Sequence, residues 1–227
     1  NQFAKSETYY VKALKIDSSA INFQNLGFFY VKTKKYKQAE QYFIKAIQLD
    51  SSLAVAFSNL GFIQKETKRF NEAEKNLKTA IQLDPNLAIA YLNLGWLQKE
   101  TNRFIEAEQN LKKAIELDPS ADAYNGLGSL YLVNQQLNEA ETVLKRAIHL
   151  DSLHQRSINN LGYLYYLTGR LKESEVFFQQ AYKIDSTDNY ALNCLACLYS
   201  KFNQVDRAFT YLNLALEQGW NNIEQLE

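Results

Sequence analysis

Large apolar residues and small ones alternate along this chain on a long, even period. Leu26-Gly27, Leu60-Gly61, Leu94-Gly95, Leu127-Gly128 and Leu161-Gly162 recur every 33 or 34 residues, and Leu195-Ala196 continues the series. Three residues before each Leu stands a large side chain: Phe23, Phe57, Tyr91, Tyr124, Ile158 or Leu192. Thirteen residues after it stands a small one: Ala39, Ala73, Ala107, Ala140, Ser174 or Ala208. Next comes a large residue, four further on (Phe43, Leu77, Leu111, Leu144, Phe178, Leu212), and three beyond that an alanine (Ala46, Ala80, Ala114, Ala147, Ala181, Ala215).

These spacings are helical. With each repeat counted so that Phe23 is position 4, positions 4, 7, 8 and 11 share one side of a first helix at about 100° per residue. Positions 17, 20, 24, 27 and 28 form a stripe on a second helix. Small residues at 8, 20 and 27 let the two helices approach, and the large residue at 24 fills the space between them. Polar links such as Thr33-Lys34-Lys35, Thr67-Lys68-Arg69 and Thr168-Gly169-Arg170 turn the second helix back on the first. An Asp closes nearly every unit (Asp17, Asp50, Asp84, Asp118, Asp151, Asp185), followed by Ser or Pro, which is turn and capping chemistry.

The pattern aromatic-x2-Leu-Gly, then Ala, then a large residue, then Ala, resembles the tetratricopeptide repeat. Full units are expected at 20–53, 54–87, 88–120, 121–154, 155–188 and 189–222. Residues 1–19 match the second helix of an earlier unit, and 223–227 resemble the start of a capping helix. The last unit departs from the pattern, with Ala196 for Gly and Trp220 for Pro. The resemblance implies an all-α, right-handed superhelical solenoid of antiparallel helix hairpins, with a concave surface that binds other proteins or peptides.

Charge and composition narrow the partner. Lys plus Arg is 25 and Asp plus Glu is 25, so the formal net charge is zero. Nucleic-acid binding rests on an excess of cations over phosphates, so no nucleic acid is expected. A polybasic membrane anchor is excluded on the same ground. No stretch approaches the roughly 20 apolar residues of a membrane span. Two Cys make no disulfide framework. The chain begins at Asn1 and has no Met, which reads as an excised or processed piece with the cytoplasm as default address.

In the family, positions 2, 5, 6, 9, 12 and 13 of the first helices line the concave surface, and the helical wheel places them opposite the hairpin seam. Position 9 reads Phe28, Phe62, Trp96, Ser129, Tyr163 and Cys197; position 2 begins Ile21, Val55, Ile89. Apolar anchors on a face that faces water suit a ligand's apolar residues; packing between neighbouring first helices is the alternative. Position 6 is Asn25, Asn59, Asn93 and Asn160. An amide both donates and accepts, so this row suits a peptide backbone; bonding within the chain is the alternative. It resembles the asparagine ladder in the superhelix of O-linked N-acetylglucosamine transferase. The expected peptide-binding set is therefore Asn25, Phe28, Asn59, Phe62, Asn93, Trp96, Asn160 and Tyr163. The lysine and asparagine set with which cochaperone arrays grip acidic carboxyl tails does not occur in any three successive units.

Enzymatic readings are weaker. Cys194 and Cys197 lie on one side of a helix, without the strand that a thioredoxin-like motif needs or the four ligands of a zinc site. His149 and His154 are expected as solvated turn residues. No phosphate loop, catalytic set, cofactor or metal site is implied. The expected role is a protein-interaction scaffold; the rival is a spacer or sensory module of a larger protein that self-associates through open array ends near Phe3, Tyr10 or Ile223.

Overall fold

The computed structural model describes residues 2–219, with side chains from Ser6 onward. The expected capping helix at 223–227, with Trp220, Ile223 and the Phe3 side chain, lies outside the described residues. Every described element is a helix. The first is α1 (Gln2–Ile16); six hairpins follow. Their first helices are α2 (Ala20–Lys32), α4 (Ala54–Glu66), α6 (Ala88–Glu100), α8 (Ala121–Val133), α10 (Gln155–Leu167) and α12 (Asn189–Lys201). Their second helices are α3 (Tyr36–Leu49), α5 (Phe70–Leu83), α7 (Phe104–Leu117), α9 (Leu137–Leu150), α11 (Leu171–Ile184) and α13 (Val205–Glu217). The chain divides after Asp118 into two compact units, α1 to α7 and α8 to α13. In both, each hairpin stacks on the next and successive first helices touch.

The seam of each hairpin is the one the spacing predicts. Ala39, Phe43 and Ala46 of α3 are fully buried, as are Ala73, Leu77 and Ala80 of α5. Ala140, Leu144 and Ala147 repeat the arrangement in the second unit. Their burial, with that of Leu26, Ile63, Leu97, Leu130 and Leu164, supplies most of the stability. Isolated helices of this length are marginal in water.

Each link turns through a left-handed residue. Lys34, Lys68, Asn102, Gln135 and Asn203 have φ between 55° and 62°, and Gly169 has 75°. Around Lys34 the bonds are those of a Schellman end: Lys35 N–H donates to the Tyr30 carbonyl and Lys34 N–H to that of Val31, both at 2.9 Å. A side chain in this region costs about 1 kcal/mol, which glycine avoids. Gln135→Gly is therefore expected to raise stability by about 0.5 kcal/mol, after the extra freedom glycine gives the unfolded chain. A urea midpoint that falls would show that the link is not strained.

The recurrent Asp makes the turn as expected. Asp50 Oδ1 accepts from Ser52 N–H at 2.9 Å and from Ser52 Oγ at 2.6 Å, and Asp185 holds Thr187 in the same way. These bonds lower the pKa of both carboxyls. A second periodic carboxylate ties hairpin to hairpin. Glu40 reaches Arg69 at 2.7 Å, Glu74 takes both guanidinium nitrogens of Arg103 at 2.9 Å, and Glu141 meets Arg170 at 3.1 Å. Tyrosines one helix after each carboxylate serve the same row: Tyr30 donates to Glu7 at 2.7 Å, Tyr165 to Glu141 at 2.9 Å and Tyr199 to Glu175 at 2.6 Å.

Candidate peptide-binding face

In the first unit, α2, α4 and α6 lie side by side with their seam positions turned inward, so positions 2, 6, 9 and 12 share the opposite face. The apolar row at position 2 is open: Ile21 is 59% exposed, Val55 39% and Ile89 42%. Phe28, seven residues after Ile21 on the same side of α2, is 46% exposed. Phe62 and Trp96 are half-buried. Phe62 packs against the core and edge-on to the Tyr36 ring at 6.4 Å, and the Lys65 ammonium stands 5.6 Å from the centre of each of the two rings. Lys65 is buried and pairs with Glu66 at 2.6 Å and Glu100 at 3.4 Å. Lys32 stands 5.1 Å over the Phe28 ring. Burial lowers the pKa of the Lys99 ammonium, with Glu100 opposing and Lys65 adding to the effect.

The amide row divides. Asn25 is exposed and Asn59 half-buried. Asn93 is buried and donates to Ser58 Oγ at 3.3 Å; Asn160 donates to Asn125 Oδ1 at 2.8 Å. Those two amides spend a donor on the preceding repeat, which is the within-chain bonding weighed above. Asn25 and Asn59 remain on the accessible face.

In the second unit Tyr163 is exposed on α10. Between α10 and α12 opens a cavity of about 470 Å³ lined by Tyr163, Tyr166, Phe178, Tyr190, Asn193, Cys194 and Cys197. Of these, only Tyr163 was singled out as a binding residue from the sequence. The signal was present: at position 9 Tyr163 is followed in the next unit by Cys197, and with Cys194 at position 6 small side chains leave a space between tyrosines. The two cysteines share one side of α12. Burial raises the Cys194 pKa to about 12, Cys197 adding to it, and burial raises that of Cys197 as well. Both are therefore protonated thiols, poor nucleophiles at neutral pH.

His154 departs from expectation. It is no solvated turn residue: its side chain is 14% exposed. One ring nitrogen lies 2.7 Å from Ser157 Oγ at the start of α10, and the other 3.2 Å from Asp122 on α8. The polar groups at the helix start hold the ring down, so it caps α10 and links two repeats. His149 is exposed. Among the described residues no three His, Cys, Asp or Glu side chains gather as a metal site, and no helix is long and apolar enough to cross a membrane.

Family models of the tetratricopeptide repeat match residues 22–53, 52–120, 92–154 and 125–189. The chain belongs to the tetratricopeptide-repeat family. Solved tetratricopeptide structures share the fold. A chain of the APC/C hetero-tetramer Cut9-Hcn1 superposes with a TM-score of 0.89 at 18% identity, over 97% of this chain and 44% of that one. The present chain thus spans less than half of that relative. MamA matches with a TM-score of 0.58 at 28% identity, over 70% of this chain and 94% of its own. YrrB, described as having an unusual peptide-binding site, matches with a TM-score of 0.54 at 21% identity, over 81% and 95%. No curated protein matches the chain in sequence.

Proposed function

We propose that this tetratricopeptide-repeat chain is a non-catalytic scaffold that holds a peptide segment of a partner protein along the open face of α2, α4 and α6. The observation that carries this reading is the row Ile21, Val55 and Ile89, exposed with Phe28 on one face of three touching helices. Hairpin packing does not need these side chains there, and a contiguous apolar strip in water marks a contact surface. Phe28 is the open anchor. Phe62 and Trp96, half-buried with the Lys65 ammonium against both rings, would add contact beside it. The amides of Asn25 and Asn59 are placed to meet a backbone. Asn93 is buried with a donor engaged on Ser58 and stands outside this set, and Asn160 and Tyr163 lie on α10 of the other unit. A peptide-binding site in the similarly folded YrrB supports the reading by analogy of fold.

The test is selection of binders from a random displayed-peptide library, followed by affinities of the selected peptides for variants. Phe28→Ala and Val55→Ser are each expected to weaken binding about tenfold, the loss of one apolar anchor. Selected peptides that bind both variants as tightly as the parent would place the ligand elsewhere. The rival reading, a self-associating spacer, draws on exposed Tyr9 and Ile16 of α1. A mass in sedimentation that rises with concentration and falls back in an Ile16→Asp variant would favour it.

A further inference from the structure

The tyrosine-lined cavity between α10 and α12 is a second site, separate from the strip on α2, α4 and α6. Its chemistry is specific. The walls are the rings of Tyr163, Tyr166 and Tyr190, and fully buried Phe178 reaches it from α11. The Asn193 amide and the two thiols complete the lining, Cys197 Sγ donating to Asn193 Oδ1 at 3.9 Å. At about 470 Å³ it is within the usual size of ligand sites, roughly 300–1,000 Å³. Rings on several sides favour an apolar or aromatic guest.

Charge decides what flanks that guest. No carboxylate is among the lining residues. Asp188, at the start of α12, accepts from Gln155 and Asn159 at 2.8 and 2.7 Å; it keeps its negative charge, which acts on Tyr190 and Cys194 at that end of the cavity. The charged group at the edge is Lys201, exposed at the end of α12, with its ammonium 4.4 Å over the Tyr166 ring. An aromatic cage for a cation needs bare ring faces. Here the Tyr166 ring already carries an ammonium, so at the Lys201 end of the cavity a cation is repelled and an anionic neighbour of the guest attracted.

We infer that this cavity takes the phenyl ring of a phenylalanine in a partner peptide whose adjacent residues are glutamate or aspartate, the ring between Tyr163, Tyr166 and Tyr190 and a carboxylate on Lys201. The inference rests on the reading of the array as a peptide scaffold and adds a site and a sequence preference to it.

The probe is a short fluorescein-labelled peptide with one phenylalanine between two glutamates in a glycine-serine background, followed by anisotropy. Two relatives of the probe replace the phenylalanine by serine or the glutamates by lysine. The parent chain is expected to bind the probe and to bind either relative about tenfold more weakly. Cys197→Phe fills the cavity and should abolish binding with the thermal midpoint kept. Should that variant not fold, Tyr190→Ser, at an exposed wall, is expected to weaken the probe about tenfold instead. Lys201→Glu should reverse the order of the glutamate and lysine peptides. Failure of the parent chain to bind the probe, equal binding of the serine relative, or an unchanged order in Lys201→Glu overturns the inference. Binding lost in Phe28→Ala but intact in Cys197→Phe overturns it too, while leaving the strip on α2, α4 and α6 standing.

Discussion

Gly61→Ala is expected to destabilise the chain by about 1–2 kcal/mol, although alanine is the better helix former. Propensity alone favours alanine by about 1 kcal/mol in a helix interior. Packing opposes it. A Cβ at Gly61 stands 2.6 Å from Leu77 Cγ and 3.1 Å from the Ala73 carbonyl oxygen. Leu77 is fully buried between α4 and α5 and has nowhere to swing. Overpacking of this kind costs about 1–3 kcal/mol, and more where backbone is met as well. Leu77→Ala should cost about 3 kcal/mol through the cavity it leaves. The double variant should cost less than the sum, because the new methyl enters the space the leucine vacated. At Gly27 the neighbours are Phe43 ring atoms at 3.0–3.1 Å, and a small tilt of the ring relieves them. Gly27→Ala should therefore be close to neutral. The natural sequence has made the same exchange once, at Ala196, where the facing Leu212 is half-buried and free to yield. Urea denaturation of the four variants checks the argument. Additive losses at Gly61 and Leu77 would show that the two do not meet.

That seam is the part of the fold most legible in the sequence. A period of 33 or 34 residues with small residues facing large ones fixes which sides of two helices meet, and the buried side chains are those the spacing selects. The open face was legible only in outline. Periodicity says that Phe62 and Trp96 share a side of their helices, but not that Lys65, itself at a face position, lies between them. It says that Asn93 repeats Asn25, but not that Ser58 in the preceding repeat accepts its amide hydrogen. It assigned His154 to a solvated turn, whereas Asp122 on α8 and Ser157 in the following repeat hold the ring. In each case a side chain reaches across to another repeat, and the geometry of stacking decides the partner. The left-handed residues of the links were hidden for another reason: at Lys34, Lys68 and Gln135 no glycine marks them.

Acid is expected to loosen the stack before it melts the hairpins. Glu74 is held down to about 2, chiefly by the Arg103 guanidinium and then by Lys78. Glu141 is held down to about 2, chiefly by Lys145, with Tyr165 and Arg170 adding to it. A carboxyl whose folded pKa lies below its unfolded value of about 4.3 stabilises the fold fully above that value. That contribution is lost as the pH falls from about 4.3 towards 2, where the folded form too is protonated. The side chains are partly exposed, so each is assigned about 1 kcal/mol after solvent screening rather than the full linkage value. Glu74→Gln should lower stability at neutral pH by about 1 kcal/mol and flatten the acid limb, its curve meeting the parent's near the pH where Glu74 itself is neutral. Urea midpoints taken at steps through this range decide it, and two parallel curves would remove Glu74 from the account. The consequence reaches the open face. Glu74 on α5 and Arg103 at the head of α7 join the second and third full hairpins, which carry Val55 and Ile89 on α4 and α6. Loosening that tie lets the two helices shift, so peptide affinity should fall in Glu74→Gln without any change at the residues that touch the peptide.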